Sequence, residues 1–176
     1  ITERKKAQNL ILESEQRFKE LFDNMRGGVA IYKPVEHGEN FMFLDLNKGA
    51  EAIEQLSKKD TIGKTITEVF PEVKEFGLLD VIKRVNQTGQ PQRHPAAFYQ
   101  DQRINGWRDN YVYKLPSGEI VCLYEDVTKE KQAEEELYLY RQHLEKLVEQ
   151  RTDEITHINE LNEKIISTIP SAVITL

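Results

Sequence analysis

The side chains able to make or break bonds in this chain are few and badly spaced for it. Four histidines stand at positions 37, 94, 143 and 157 and a single cysteine at position 122. Neither a Cys-x-x-Cys pair nor a His-Glu-x-x-His helix can be built from them. No Gly-x-Ser-x-Gly elbow and no full Walker-type Gly-x-x-x-x-Gly-Lys-Ser/Thr phosphate loop occurs, which removes common serine-hydrolase and nucleotide-binding signatures. No catalytic residue and no metal ligand set is therefore assigned. Polar residues with a definable physical task concentrate in Trp107–Thr128, which reads WRDNYVYKLPSGEIVCLYEDVT. Asp126 and Thr128 stand just before a long charged pattern of helical period. There a carboxylate and a hydroxyl can accept the first free N–H groups of a helix, with Thr128 as a natural N-cap.

The elements that hold this stretch are legible from periodicity. Asn110–Leu115 and Ile120–Tyr124 are β-rich runs around a Pro116-Ser117-Gly118 turn, a hairpin with glycine where positive φ is cheapest. Residues 3–25 predict a helix that places Leu10, Phe18, Leu21, Phe22 and Met25 near one face and ends at Gly27-Gly28. Val29–Val35 and Phe41–Leu46 read as a second hairpin. Asn47–Leu56 reads as a short amphipathic helix, Ile66–Phe70 as a helical turn, and Phe76–Val85 as a helix carrying Leu78, Leu79, Ile82 and Val85. Strands then follow at about 92–100, 106–115 and 119–125. Two strands, short helices and three strands predict an α+β architecture, an antiparallel sheet with its helices on one face.

Two near-repeats suggest how the chain is organised. Ile1–Gln8 matches Val127–Glu134 almost position for position, and Leu21–Tyr32 parallels Ile165–Leu176. Repeats this far apart point to tandem domains joined by helices. The second interval exceeds the first by about five helical turns, which preserves helical phase.

The hairpin closed by Asp126-Val127-Thr128 resembles the end of a PAS domain, whose last strand finishes in Asp-Ile-Thr or Asp-Val-Thr and runs into a signalling helix. Glu15–Met25 resembles the helix leading into such domains, Thr61-Ile62-Gly63-Lys64 the mid-domain turn, and Thr88-Gly89-Gln90-Pro91 the break before the third strand. The resemblance spans residues 14–128 in order. It implies a PAS-like five-stranded antiparallel sheet with short helices on one face, flanked by long N- and C-terminal helices. The expected division is an entering linker helix at 1–25, whose residues 1–8 are the tail of a preceding PAS domain. A PAS core at 26–128 and a coiled-coil signalling helix at 129–168 come next, and a following PAS domain starts at 169–176.

By this resemblance the strand residue two before the closing Asp, Tyr124, faces an internal pocket. Alternation then turns Cys122 inward, together with Arg108, Asn110 and Val112 across the hairpin and Phe98, Ala96 and His94 on the preceding strand. Buried without partners, Arg108 and Asn110 would each cost on the order of 1–3 kcal/mol; a polar or anionic ligand could satisfy them. The alternative is a register off by one, or Glu and Asp side chains that pair with them. Asp126 and Thr128 would couple pocket to exit helix. Cys122 lies on the last strand and not in the helical Asn-Cys-Arg motif of cysteinyl-flavin photosensors, which argues against that cofactor. Haem-binding relatives use a His on the helix matching Phe76–Val85, and no His lies between His37 and His94, which argues against haem. Nothing requires a non-covalent flavin, so the cofactor is left unassigned. His143 and His157 lack the flanking residues of a histidine-kinase phosphoacceptor.

Residues 137, 144, 158 and 165, with 140, 147 and 161, trace an apolar heptad seam broken by a charged layer at Arg151 and Glu154. Val148 and Ile155 flank that layer, as a stutter would require. With 39% hydrophobic and 31% charged residues, the chain can hold one ordinary core plus polar helices. A net charge of −6 spread among interleaved signs argues against nucleic-acid or anionic-membrane partners. The expected partners are a second copy through the flanking helices, neighbouring PAS and output domains of the same chain, and a small-molecule ligand. The expected location is cytoplasmic, with any membrane anchor outside this segment. Two functions fit: a non-catalytic sensory module of a larger receptor such as a sensor histidine kinase, or a ligand-free dimerisation and spacer module.

Overall fold

The computed structural model describes residues 2–168, so the expected start of a following domain at 169–176 lies outside the described residues. The chain divides into two units, Ile1–Lys129 and Glu130–Leu176. Helix α1 (Thr2–Asn24) leads into β1 (Gly28–Val35) and β2 (Asn40–Leu46). Four short helices follow, α2 (Lys48–Glu54), α3 (Lys58–Thr61), α4 (Ile66–Val69) and α5 (Leu78–Thr88). Strands β3 (Gln92–Gln100), β4 (Asn105–Lys114) and β5 (Ile120–Asp126) then precede the 41-residue α6 (Thr128–Thr168).

The sheet runs in the order β2-β1-β5-β4-β3 with every neighbouring pair antiparallel. The first strand is thus seated beside the last, and β5 is paired along both edges. On the inner face Ala30, Tyr32, Phe41, Phe43, Val112, Ile120 and Cys122 meet Ile66, Val69, Leu79, Ile82 and Val85 in one core. Helix α5 buries Leu78, Leu79, Val81, Ile82 and Val85. It stops at Gly89 (φ 69°), whose N–H donates to Val85 O, because the left-handed conformation costs glycine little.

The outer face has a smaller cluster, in which Phe22 of α1 packs on Val29 and Val121 beside half-buried Ile31, Tyr113, Leu115 and Leu123. Phe22 is the apolar side chain of α1 that is buried; Leu10, Phe18 and Leu21, expected on the same face, are 67%, 58% and 66% exposed. No residue of α6 is buried, and its apolar positions Leu137, Leu144, Leu147, Ile158, Leu161 and Ile165 are all exposed. No helix among the described residues is long and apolar enough to cross a membrane.

One buried amide ties the beginning of this unit together. Asn47 is fully buried, and its Oδ1 accepts from Val29 N and Ala50 N, each at 2.8 Å. Its Nδ2 donates to Phe22 O and Gly27 O, each at 3.0 Å. The side chain therefore caps α2 and also fixes the end of α1 and the start of β1, using its whole hydrogen-bonding capacity. Gly49 completes the contact, since a Cβ there would strike the Gly27 carbonyl. Replacing Asn47 with Ala is expected to destabilise the domain by about 3 kcal/mol or more, because four backbone groups lose their partner. Asn47→Asp should also destabilise, since it keeps the two acceptor bonds but loses both donors and sets a charge against two carbonyls. Urea unfolding of the three proteins checks this; an Asp variant as stable as wild type would show that the donor half contributes nothing.

Candidate functional site

A cavity of about 40 Å³ lies between the inner face of the sheet and helices α2, α4 and α5. Its apolar wall is Ile66, Phe70, Val73, Phe76 and Leu78, and its polar wall is Tyr32, Glu54, Tyr99, Arg108, Asn110, Cys122 and Tyr124. Strand register explains the polar wall. Arg108, Asn110 and Val112 on β4 stand opposite Asp126, Tyr124 and Cys122 on β5, and Gly28 and Ala30 on β1 stand opposite Tyr124 and Cys122. Gly28 is needed because the Tyr124 ring lies across its Cα, where any Cβ would enter the ring.

The sequence-predicted pocket residues divide accordingly. Arg108, Asn110, Cys122 and Tyr124 come together at the cavity, and Val112 is fully buried in the adjoining core. Phe98 does not join them. It is half exposed and packs its ring against Trp107 at 5.9 Å on the outer face. The cause is a register shift between His94 and Ala97. An extra residue reverses the facing of every later position of the strand, so Tyr99 takes the inward place and Phe98 turns out. Ala96 falls within that shift. His94, before it, still pairs with Asn110, lies tilted against the Phe76 ring at 4.7 Å and directs Nε2 to Phe76 O at 2.9 Å. Among the described residues no three His, Cys, Asp or Glu side chains gather as a metal site.

Sequence reasoning missed Tyr32, Glu54 and Tyr99 on the polar wall, and the whole apolar wall. Glu54 is a buried carboxylate on the short helix α2, where the pattern of charges gives no sign that one of them turns inward. It accepts from Arg108 Nε at 3.0 Å, while Arg108 Nη1 lies 3.2 Å from Asp126 Oδ1. The pairing alternative open at the sequence level is thus realised for Arg108: one buried cation lies between a carboxylate at the cavity and a carboxylate at the head of α6. Asn110 differs, since its Oδ1 receives the Cys122 thiol at 3.7 Å but its buried Nδ2 has no partner.

The junction itself is closed by hydrogen bonds. Asp126 Oδ1 accepts from Thr128 N at 3.0 Å and from the Thr128 hydroxyl, and Thr128 Oγ1 accepts from Trp107 N at 2.9 Å. Asp126 therefore takes an early N–H of the exit helix, as expected. Thr128 is the first helical residue, and its hydroxyl ties the helix back to β4. Gly106 permits this closeness, because a Cβ there would come within 2.6 Å of both Arg108 Nη1 and Thr128 Oγ1. The other predicted switch pair, Arg151 and Glu154, forms an exposed ion pair of 2.8 Å one helical turn apart on α6.

Burial sets the protonation states around the cavity. It pushes the Cys122 thiol up to about 12, helped by the Glu54 charge, so the thiol keeps its proton. Burial likewise raises the Tyr32 and Tyr124 hydroxyls well above the ordinary phenol range. Glu54 is raised from the usual carboxylate value by burial, although Arg108 acts to lower it. His94 is lowered by burial and stays neutral near pH 7, with the proton on Nε2 facing the Phe76 carbonyl.

No family model and no curated protein matches the sequence. Solved structures match the fold. A domain of a sensory box sensor histidine kinase/response regulator from Geobacter sulfurreducens matches with a TM-score of 0.53 at 15% identity, over 66% of this chain and 96% of that one. The PAS domain of a Colwellia psychrerythraea protein matches at 0.50 and 18%, over 68% and 98% of the two chains. An RNA-binding Light-Oxygen-Voltage receptor matches at 0.56 and 10%, over 73% and 37%. The five-stranded unit of this chain thus has the PAS fold.

Removing the shared cation should be costly in a pH-dependent way. Arg108→Met leaves Glu54 buried with no counter-charge and is expected to destabilise by about 3 to 5 kcal/mol at neutral pH. A carboxyl whose folded-state pKa is raised favours folding at low pH and loses that contribution as pH rises from its unfolded value of about 4.3 through the folded one. The penalty of Arg108→Met should therefore be smaller at pH 5 than at pH 7.5, and adding Glu54→Met should restore most of the stability. Denaturant unfolding at both pH values checks this; a penalty independent of pH would mean that Glu54 is not the group left uncompensated.

Proposed function

We propose that this segment is a non-catalytic, cytoplasmic sensory module of a multidomain receptor, with a sensor histidine kinase as the parent the reading favours. A small molecule would occupy the cavity, and the change would pass through the final strands into α6. The observation that carries this reading is the continuous set of contacts from cavity to helix. Glu54 and Arg108 line the cavity, Arg108 is paired with Asp126, and Asp126 holds Thr128, the first residue of α6. A ligand that shifts β4 or Glu54 changes the balance of charge at Asp126, so the two ends share one equilibrium.

Dimerisation through the flanking helices is part of the same proposal. Exposed apolar side chains recur along both α1 and α6, a pattern that monomers rarely expose and that helices bury against a partner. The charged layer at Arg151 and Glu154 would let two packings of α6 against its mate lie close in energy. A ligand-free spacer is the second reading, favoured by the small cavity volume.

Native mass spectrometry of the purified segment, with an absorption spectrum of the same sample, separates the readings. The sensory proposal expects a dimer with additional mass released on denaturation; a dimer that never retains or accepts added mass favours the spacer, and a monomer rejects the helical interface. In the full receptor, changing Arg151 and Glu154 together to Leu is expected to lock one packing and abolish the response to signal. Normal signalling by that double variant would remove α6 repacking from the mechanism.

A further inference from the structure

The cavity carries more chemical information than its location, because one of its polar groups is a fully enclosed donor without a partner. Arg108, the residue expected to draw an anion, already faces two carboxylates, at 3.0 Å and 3.2 Å. A ligand carboxylate would have to displace Glu54 and leave that acid buried without a counter-ion. Tyr99 is committed as well, since its hydroxyl donates to Asp101 Oδ2 at 2.9 Å. Asn110 is the exception. It is 3% exposed, and its Nδ2 has no partner.

Its orientation follows from its neighbour. Its Oδ1 accepts from the buried Cys122 thiol across 3.7 Å, and its amino end is left without a partner. An unsatisfied buried donor, with the Tyr32 and Tyr124 hydroxyls as further donors on the same wall, selects a hydrogen-bond acceptor. The paired Arg108 and the protonated phenols supply no free charge to balance an ion. A volume of about 40 Å³ exceeds the minimum for one water and admits a compound of only a few non-hydrogen atoms.

Resting on the sensory reading above, we infer that the Asn110 amide is the recognition group of the cavity and that it selects a compact, uncharged acceptor, such as a short carbonyl compound, over a carboxylate. Ile66, Phe70, Val73, Phe76 and Leu78 would enclose the apolar end of such a ligand. The acceptor oxygen would meet Asn110 Nδ2 at the middle of β4, opposite Tyr124 of β5.

Acetone and acetate have nearly the same shape and differ in charge, so they test the inference directly. Each would be titrated into isotope-labelled segment 1–176 while NMR follows the Asn110 side-chain amide and the backbone amides of Cys122 and Tyr124. Ligand-efficiency limits put the best attainable dissociation constant for so few atoms at about tens of micromolar, so titration must extend through the millimolar range. Acetone is expected to shift all three signals saturably and acetate to leave them unchanged. Asn110→Leu should weaken acetone binding by about tenfold or more, read at Cys122 and Tyr124. Cys122→Ser, whose hydroxyl can donate as the thiol does, should retain binding and shows whether loss in the Leu variant reflects the amide rather than the fold. Saturable binding of acetate in preference to acetone would overturn the inference and leave the sensory reading standing. Silence of all three signals toward both compounds, with a long-lived water on the Asn110 amide, would make the site a structural water only and overturn it too. The sensory reading is then decided separately by retained mass in the native spectrum.

Discussion

A buried guanidinium sets the terms for the rest of this domain. Burying a guanidinium is costly unless it is paired, so once β4 turns Arg108 inward the surrounding chain must supply counter-charges. Two carboxylates from distant parts of the sequence do so: Glu54, on a helix that follows the first hairpin, and Asp126, the last residue of β5. The pairings fasten α2 to β4 and β4 to the start of α6 in one contiguous contact. Such a centre contributes less net stability than an apolar replacement of equal volume would. What it supplies is linkage, because neither carboxylate can move without altering the environment of the other.

The opposite end of the domain relies on a neutral equivalent. Asn47 joins α1, β1 and α2 through four hydrogen bonds, and none of them depends on ionisation. The entering helix is thus held by a group insensitive to pH and ligand charge, while the exit helix is held by ions. In the proposed function, that asymmetry would make the exit junction the more responsive of the two.

Much of this was legible in the sequence because it depends on short-range pattern. Alternation located the five strands, apolar spacing gave α5, and Asp126-Val127-Thr128 marked the strand-to-helix junction. Features that depend on irregularity or on distant pairing were not legible. The register shift between His94 and Ala97 leaves no trace in residue type, yet it exchanges Phe98 for Tyr99 at the cavity. Glu54 sits among other acidic and polar residues of a helix only seven residues long, and its burial follows from Arg108, more than fifty positions later. The threefold capacity of Asn47 to cap, pair and tether was signalled only by its place before a helix. That signal accounts for the bond to Ala50 and for none of the other three.

The same contrast between local pattern and long-range pairing decides what the cavity can recognise. Read along β4, Arg108 and Asn110 look like two equivalent polar groups awaiting one ligand. In the folded domain they are not equivalent, since the cation is closed off by Glu54 and Asp126 while the amide keeps a free donor. A ligand bound at Asn110 would therefore press on Tyr124, the residue facing it across the ladder and two positions before Asp126. Strand β5 is paired on both edges, by β1 and β4, so under the proposed function a displacement there would be carried along the strand. Its end is the carboxylate that already holds the first residue of α6. In the proposed function, sensing and transmission would thus be separate in chemistry, a neutral amide for the first and an ion pair for the second, with Asn110 and Arg108 two residues apart on β4.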